Sequence, residues 1–341
     1  MSKHINVAVA GATGYIGLEL IKLLSKHPKV KIKSICAQKS IGESISKFDS
    51  SLKKKSLPKI TNLNETNFEK LDFLFTALPN GEAQKIAKIL NYNVKLIDLS
   101  ADFRLESHKV YKKWYKISHK SKHLIKHSVY SIPELVNEKL DKFKIIACPG
   151  CYPTSIQIPL VPIIKNKLIN TKNIIVDSKS GFSGAGKDLH KKFKFKNIYK
   201  SISAYGISSH RHVAEIDQQL KKISNNIIKV RFTPHLSPMF RGILSTIYVN
   251  LNKNISPKII YKCLKKYYKS KYFIKFAKFN TPIGTGDIMH TNFCKISVCN
   301  DRMKNKAIIL SAIDNLIKGG SGQAMQNMNL LCGFNEQMGF K

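Results

Sequence analysis

The residue types with the greatest chemical potential lie together in Cys148-Pro149-Gly150-Cys151-Tyr152-Pro153-Thr154-Ser155, close to the middle of a 341-residue chain. A short β-like run, 143–147, leads into them. Pro-Gly is a strong turn signal, and Tyr152-Pro153-Thr154-Ser155 reads as a helix start, with Pro153 allowed in the first turn. Cys151 is therefore expected on a tight turn at a helix N-terminus. Backbone N–H groups and the helix dipole stabilise a thiolate there and lower its pKa, which suits a covalent nucleophile. Other readings stay open on the cysteines alone. Most cysteines are buried small hydrophobes, and Cys148 with Cys151 forms a C-x-x-C pair, a pattern shared by redox couples and half zinc sites. The remaining cysteines (Cys36, Cys263, Cys294, Cys299, Cys332) supply no second close pair, so no metal is expected.

A thiolate needs a proton acceptor, and the tetrahedral intermediate it forms needs a donor. Imidazole serves both near neutral pH. His210-Arg211-His212 stands just before an amphipathic helix running through Leu220. His210 is the first choice for acid/base and His212 the second; spacing does not separate them. Metal binding by the pair lacks an evident third ligand. Arg104, Arg211 and Arg241 carry planar guanidinium forks suited to a phosphate or carboxylate. Together with Tyr205 they are the candidate substrate-binding residues.

These groups need elements to position them, and the N-terminal half supplies a recognisable frame. A strand-like run at 5–10 is followed by Gly11-Ala12-Thr13-Gly14-Tyr15-Ile16-Gly17 and a helix-like segment at 18–26. Strand, glycine-rich turn and helix are the context of a dinucleotide-phosphate site. Glycine lets the pyrophosphate approach the backbone, and the helix N-terminus binds its charge. Gly11, Thr13, Gly14, Tyr15, Ile16 and Gly17 are the expected contacts. The second strand, 30–37, ends in Ala37-Gln38-Lys39-Ser40, with no acid until Glu43. A carboxylate would favour a free ribose 2′-OH, whereas Lys39 and Ser40 suit a 2′-phosphate, so NADP is expected over NAD.

A polar surface excursion is expected at 44–70, strands at 71–77 and 94–99, and a helix from Glu82 to Leu90. Repeated βα units with polar loops at strand C-termini describe a doubly wound parallel sheet. Beyond Cys151, Pro159 and Pro162 are expected to kink or shorten the helix. A strand at 174–178 leads into Lys179-Ser180-Gly181-Phe182-Ser183-Gly184-Ala185-Gly186-Lys187, a loop whose small residues suit close approach to a ligand. Strands at 227–233, 242–249 and 293–299 suggest an α+β second region. A helix is expected over 305–318 and another over 322–331, its Gln and Asn residues, Asn327 among them, available to the cofactor's amide.

The totals narrow the class. Hydrophobic residues make up 43%, ordinary for a globular protein, and no apolar run approaches the roughly 18 residues of a membrane span. Seven cysteines without a disulfide-framework spacing favour a reducing, cytoplasmic setting. The net charge of +37 raises nucleic acid as a partner. However, the lysines are dispersed (53–55, 112–113, 191–192, 265–266) and arginine, the main base-reading residue, is scarce. No nucleic-acid partner is expected, though the field attracts anionic substrates.

In these motifs the sequence resembles the N-acetyl-gamma-glutamyl-phosphate reductases of the semialdehyde dehydrogenase group. The resemblance covers nearly the whole chain: Gly11 to Gly17, the Leu78-Pro79 turn, Asp98-Leu99-Ser100-Ala101-Asp102-Phe103-Arg104, Pro149 to Thr154, Ser180 to Lys187, His210-Arg211-His212, and Gly322 to Leu330. It implies an NADP(H)-binding Rossmann domain, 1–148 completed by helices in 310–341, and a glyceraldehyde-phosphate-dehydrogenase-like α+β catalytic domain, 149–309. Homo-oligomers, dimer or tetramer, are implied too. So is reduction of N-acetyl-L-glutamyl 5-phosphate through a Cys151 thioester in arginine biosynthesis, with Ser180, Gly181, Ser183 and Gly184 added to the cofactor contacts. Two positions depart from the family's pattern: Cys148 stands where Asn is expected, and Lys39 near where Arg is common. Aspartate-semialdehyde dehydrogenase, with the same chemistry on a shorter substrate, is the nearest alternative.

Overall fold

Alternation in the first strand decides how the N-terminal unit is built. In the computed structural model, which describes residues 4–91, 93–187 and 196–340, Val7 and Val9 enter one core while Ala8 and Ala10 enter another on the opposite face. Lys191 and Lys192 lie outside the described residues. Strand β1 (Ile5–Ala10) is central in a seven-stranded sheet with β2 (Val30–Cys36), β3 (Ile60–Thr61), β4 (Phe73–Thr76), β5 (Lys95–Asp98), β6 (Ser128–Tyr130) and β7 (Ile145–Ala147). The order is β3-β2-β1-β4-β5-β7-β6, and every pairing is parallel. Helix α1 (Tyr15–Lys26) covers one face through Leu20, Ile21 and Leu24, and α2 (Glu82–Ile89) the other through Ala83, Ile86 and Ala87. A third helix, α3 (His108–Tyr115), buries Tyr111 and Tyr115. The C-terminal helix Gly322–Leu331 adds Ala324, Met325 and Met328 to the α1 side. The polar segment 44–70 is anchored, with Ile45, Leu52 and Ile60 buried.

The second unit begins with α4 (Cys151–Lys165), then β8 (Ile169–Gly181), β9 (Ser203–Ala204), α5 (His212–Ser224), β10 (Val230–Ser237), β11 (Ile243–Leu251), α6 (Pro257–Tyr267), β12 (Ile274–Phe276), β13 (Cys294–Asn300) and β14 (Lys306–Ile313). Its sheet runs β12-β13-β14-β11-β8-β10-β9. The β11 strand is antiparallel to both β8 and β14, while β8 and β10 are parallel. The residues of β11 alternate between buried and more open, and α4, α5 and α6 pack on the sheet. Among the described residues no helix is long and apolar enough to cross a membrane.

Several expectations need correction. The segment 305–318 is the strand β14, not a helix, because β11 and β13 pair with it on both sides. Tertiary pairing there overrides an apolar spacing that also fits a helix. A π-turn, Ile317–Ser321, follows, and the last helix becomes α7 (Gly322–Leu331). The chain accordingly divides at Pro149/Gly150 and Gly319/Gly320, so residues 310–319 belong with the second unit. Helix α4 runs through Pro159 and Pro162 without interruption, and burial of nearly all its residues holds it. Residues 179–181 are strand, and Phe182–Ala185 forms a 3-10 turn.

Candidate active site

Helix α4 starts at Cys151, with Gly150 as its N-cap (φ −68°, ψ 158°) and no side chain capping it. The residue types of the turn enforce this. Pro153 has no N–H to leave unsatisfied, and the Thr154 N–H already reaches Gly150 O at 3.0 Å. Cys151 therefore stands at the dipole's positive end, the environment that favours a thiolate. Two glycines, one in the turn itself and one distant in sequence, make this geometry possible. A Cβ on Gly150 would lie 2.5 Å from His212 Nε2, so the imidazole packs directly on that backbone. A Cβ on Gly319, in the π-turn, would lie 2.7 Å from Cys151 Cβ.

Cys151, Tyr152, Ser180, Gly184, Ala185, Tyr205, His210, Arg211 and His212 line one cavity of about 150 Å³. The fold thereby unites the nucleophile turn, the end of β8 and the start of α5, three segments separate in sequence. The two imidazoles are 4.7 Å apart, ring centroid to centroid, but differ in surroundings. The His212 backbone N–H donates to His210 Nδ1 at 3.2 Å. Burial, followed by the neighbouring His212 and Arg211, pushes the His210 pKa down to about 2. Tyr205 OH donates to Tyr152 OH at 3.1 Å, and Tyr152 OH donates to His235 O at 3.2 Å. Burial raises both phenol pKa values, so both remain neutral donors near neutral pH.

Other sequence candidates are placed elsewhere. Gly181 packs against the backbone of Phe240 and Arg241, and Ser183 Oγ accepts from Asn315 Nδ2 at 3.0 Å. Arg241 is buried, its Nη1 3.1 Å from Asp314 Oδ2 and 2.9 Å from His290 Nδ1. In the N-terminal unit, Arg104 is also buried, donating Nε to Cys148 O at 2.7 Å and Nη2 to Leu99 O at 2.8 Å. Asn327 is fully buried, where its Oδ1 accepts from Ser131 Oγ at 2.6 Å.

The glycine turn of the N-terminal unit meets the requirements of a dinucleotide site. Gly11 has φ +84°, and a Cβ there would fall 2.2 Å from Ala77 O. A Cβ on Gly17 would fall 2.3 Å from Gly11 O, which keeps the turn tight against α1. The Gly11 and Ala12 N–H groups donate to Cys36 O. Gly14 caps α1 without a side-chain bond, and the first turn carries no acid, so the donors suit a pyrophosphate. Thr13, Tyr15 and Ile16 flank that cap. Past β2, Lys39 is exposed and Ser40 adopts the left-handed conformation at φ 64°.

Comparison with known proteins agrees with this division. Residues 6–143 match the family described as semialdehyde dehydrogenase, NAD binding domain, and residues 151–315 that described as semialdehyde dehydrogenase, dimerisation domain. The N-acetyl-gamma-glutamyl-phosphate reductase of Thermoanaerobacter pseudethanolicus is 44% identical over 97% of this chain and 96% of its own. A probable chloroplastic N-acetyl-gamma-glutamyl-phosphate reductase of Arabidopsis thaliana is 40% identical over 99% and 84%. The crystal structure of aspartate semialdehyde dehydrogenase II from Vibrio cholerae, complexed with ASA, superposes with a TM-score of 0.72 at 19% identity, covering 97% of this chain and 99% of that one; it shows the fold. From its similarity to these relatives over nearly its full length, the chain belongs to the N-acetyl-gamma-glutamyl-phosphate reductase family of semialdehyde dehydrogenases.

Proposed function

We propose that the chain reduces N-acetyl-L-glutamyl 5-phosphate with NADPH to N-acetyl-L-glutamate 5-semialdehyde and phosphate, a step of arginine biosynthesis. The observation that carries the mechanism is the shared cavity of Cys151, His212, Tyr205 and Arg211. The Cys151 thiolate adds to the acyl-phosphate carbon, the C–O bond to phosphate breaks, and a thioester remains. Backbone N–H groups at the start of α4 hold the oxyanion. Bound NADPH supplies the hydride that reduces the thioester carbonyl. The resulting thiohemiacetal loses the Cys151 sulfur to release the aldehyde.

His212 is assigned the proton transfers, reversing the order of preference between the two histidines in the sequence analysis. His210 has one ring nitrogen engaged by the His212 N–H and too low a proton affinity to carry a proton near neutral pH. Arg211 is assigned the anionic groups of the substrate, and Tyr205, whose hydroxyl donates to Tyr152, shapes the cavity beside it. Arg104 and Arg241 are assigned to the scaffold because Arg104 donates to the Cys148 and Leu99 carbonyls and Arg241 meets Asp314 and His290. Lys39 and Ser40 are assigned the 2′-phosphate that distinguishes NADP.

The dimerisation-domain match supports a homodimer or a tetramer built from it. A cytoplasmic, reducing setting is supported by seven cysteines none of which forms a disulfide. NADPH oxidation with N-acetyl-glutamyl phosphate, run beside aspartyl phosphate and the reverse reaction with phosphate and NADP, tests the assignment. Equal or faster turnover of aspartyl phosphate would overturn it.

A further inference from the structure

We propose that Glu215 is a positioning residue for the nucleophile, fixing the Gly150–Cys151 turn and the His212 imidazole in one arrangement. The inference rests on reading Cys151 as the nucleophile. Glu215 sits three residues after His212 on α5, so the two side chains share a helix face. Both meet the same residue of α4's cap. The Gly150 N–H donates to Glu215 Oε2 at 2.9 Å, and the His212 ring packs where a Gly150 Cβ would be.

Glu215 is 0% exposed. A buried carboxylate is costly unless it is paired or hydrogen-bonded, so its presence here calls for a role beyond packing. A carboxylate accepting a backbone N–H makes a short, charge-assisted bond. Here that bond orients the peptide unit immediately before the nucleophile. Because the same helix turn carries His212, any shift of Glu215 displaces thiol and imidazole relative to each other. Glycine at position 150 is the only residue that leaves room for both contacts.

The test uses the full-length protein and three variants, Glu215→Gln, Glu215→Ala and Glu215→Asp. Two readouts are followed: kcat and KM in the reductase assay, and the iodoacetamide alkylation rate of Cys151 from peptide masses, with Cys151→Ser as background. Glutamine keeps an oxygen that accepts from the Gly150 N–H, whereas alanine has none and aspartate withdraws it by one methylene. Alanine and aspartate should lower kcat by about 100-fold, the scale of an ångström-level misplacement, with KM within about threefold. They should slow Cys151 alkylation at least fivefold. Glutamine should recover most of both losses. A merely structural role would lower the melting temperature without slowing alkylation of the folded protein, and that result overturns the proposal. So does a glutamine variant as impaired as alanine, which would assign the effect to charge instead of position. If alanine fails to fold, the glutamine–aspartate pair decides by the same criteria. Parental protein that alkylates no faster at Cys151 than background overturns the nucleophile reading and this inference together, whereas parental reactivity unchanged in the variants overturns this inference alone.

Discussion

Gly319 touches Cys151 so closely that a Cβ added to it would fall 2.7 Å from Cys151 Cβ and 3.1 Å from its Cα. The contact joins the π-turn after β14 to the first residue of α4. Neither element can yield easily, since α4 is buried along nearly its whole length. Gly319→Ala should therefore displace the nucleophile. Overpacking of this kind costs about 1–3 kcal/mol, and a displaced thiol should lower kcat at least tenfold with little change in NADPH binding. Steady-state kinetics with a fluorescence titration of NADPH check this; parental kcat in the variant would contradict the packing argument.

The two histidines should separate by pH as well as by activity. His210 has an unfolded-state pKa near 6.5 and a folded value pushed down to about 2 by burial. Below about pH 6.5 the unfolded chain takes up a proton that the folded protein does not. Folding stability from this group is thus fully present above that pH and is lost as pH falls toward about 2. Between pH 6.5 and 5 the expected loss is about 2 kcal/mol, at roughly 1.4 kcal/mol per pH unit. His210→Asn should remove this part of the acid slope in urea titrations at the two pH values. His212→Asn should leave the slope and lower kcat about 10³-fold, within the range for a lost general acid/base. A larger kcat loss for the His210 variant would restore His210 as the acid/base.

Arg241 should behave as a scaffold residue. Its partner Asp314 is fully buried and also accepts the Leu316 and Ile317 N–H groups, which start the chain into the π-turn. Breaking a buried ion pair costs about 3–5 kcal/mol. Arg241→Ala should lower the melting temperature measurably and, through Gly319, reduce kcat. An unchanged melting temperature with a raised KM would instead make Arg241 a substrate ligand.

The nucleophile turn, the glycine-rich turn and most strands were legible because local signals determine them: Pro-Gly before Cys151, three spaced glycines after β1, and short apolar runs at strand length. Where partners are distant, the sequence carried less. Ala307, Ile308, Leu310 and Ile313 fit a helical stripe, yet in the strand each has a partner in both β11 and β13, which no local pattern reveals. Glu215 had a visible three-residue spacing from His212, but its contact with Gly150 spans 65 positions. Guanidinium forks suit anions, which makes Arg104 and Arg241 candidate substrate ligands in the sequence. Such forks suit buried carbonyls and carboxylates equally well, and the burial of both side chains, which the sequence does not show, is what favours the scaffold assignment proposed above.

Cys148 and Cys151 share a C-x-x-C spacing but should not share reactivity. Cys148 is fully buried, and burial, reinforced by the nearby Asp98 carboxyl, pushes its thiol up to about 12. At pH 8 about one molecule in 10⁴ would carry a thiolate there. Cys151 is partly exposed, at a helix N-terminus, in a cavity with Arg211. Brief treatment with iodoacetamide at pH 8 should label Cys151 and leave Cys148 unmodified, with loss of reductase activity tracking the Cys151 adduct. Mass measurement with and without reductant should show no two-hydrogen difference in the peptide holding both. Oxidation of that peptide to a disulfide under mild conditions would favour a dithiol redox pair over a single nucleophile.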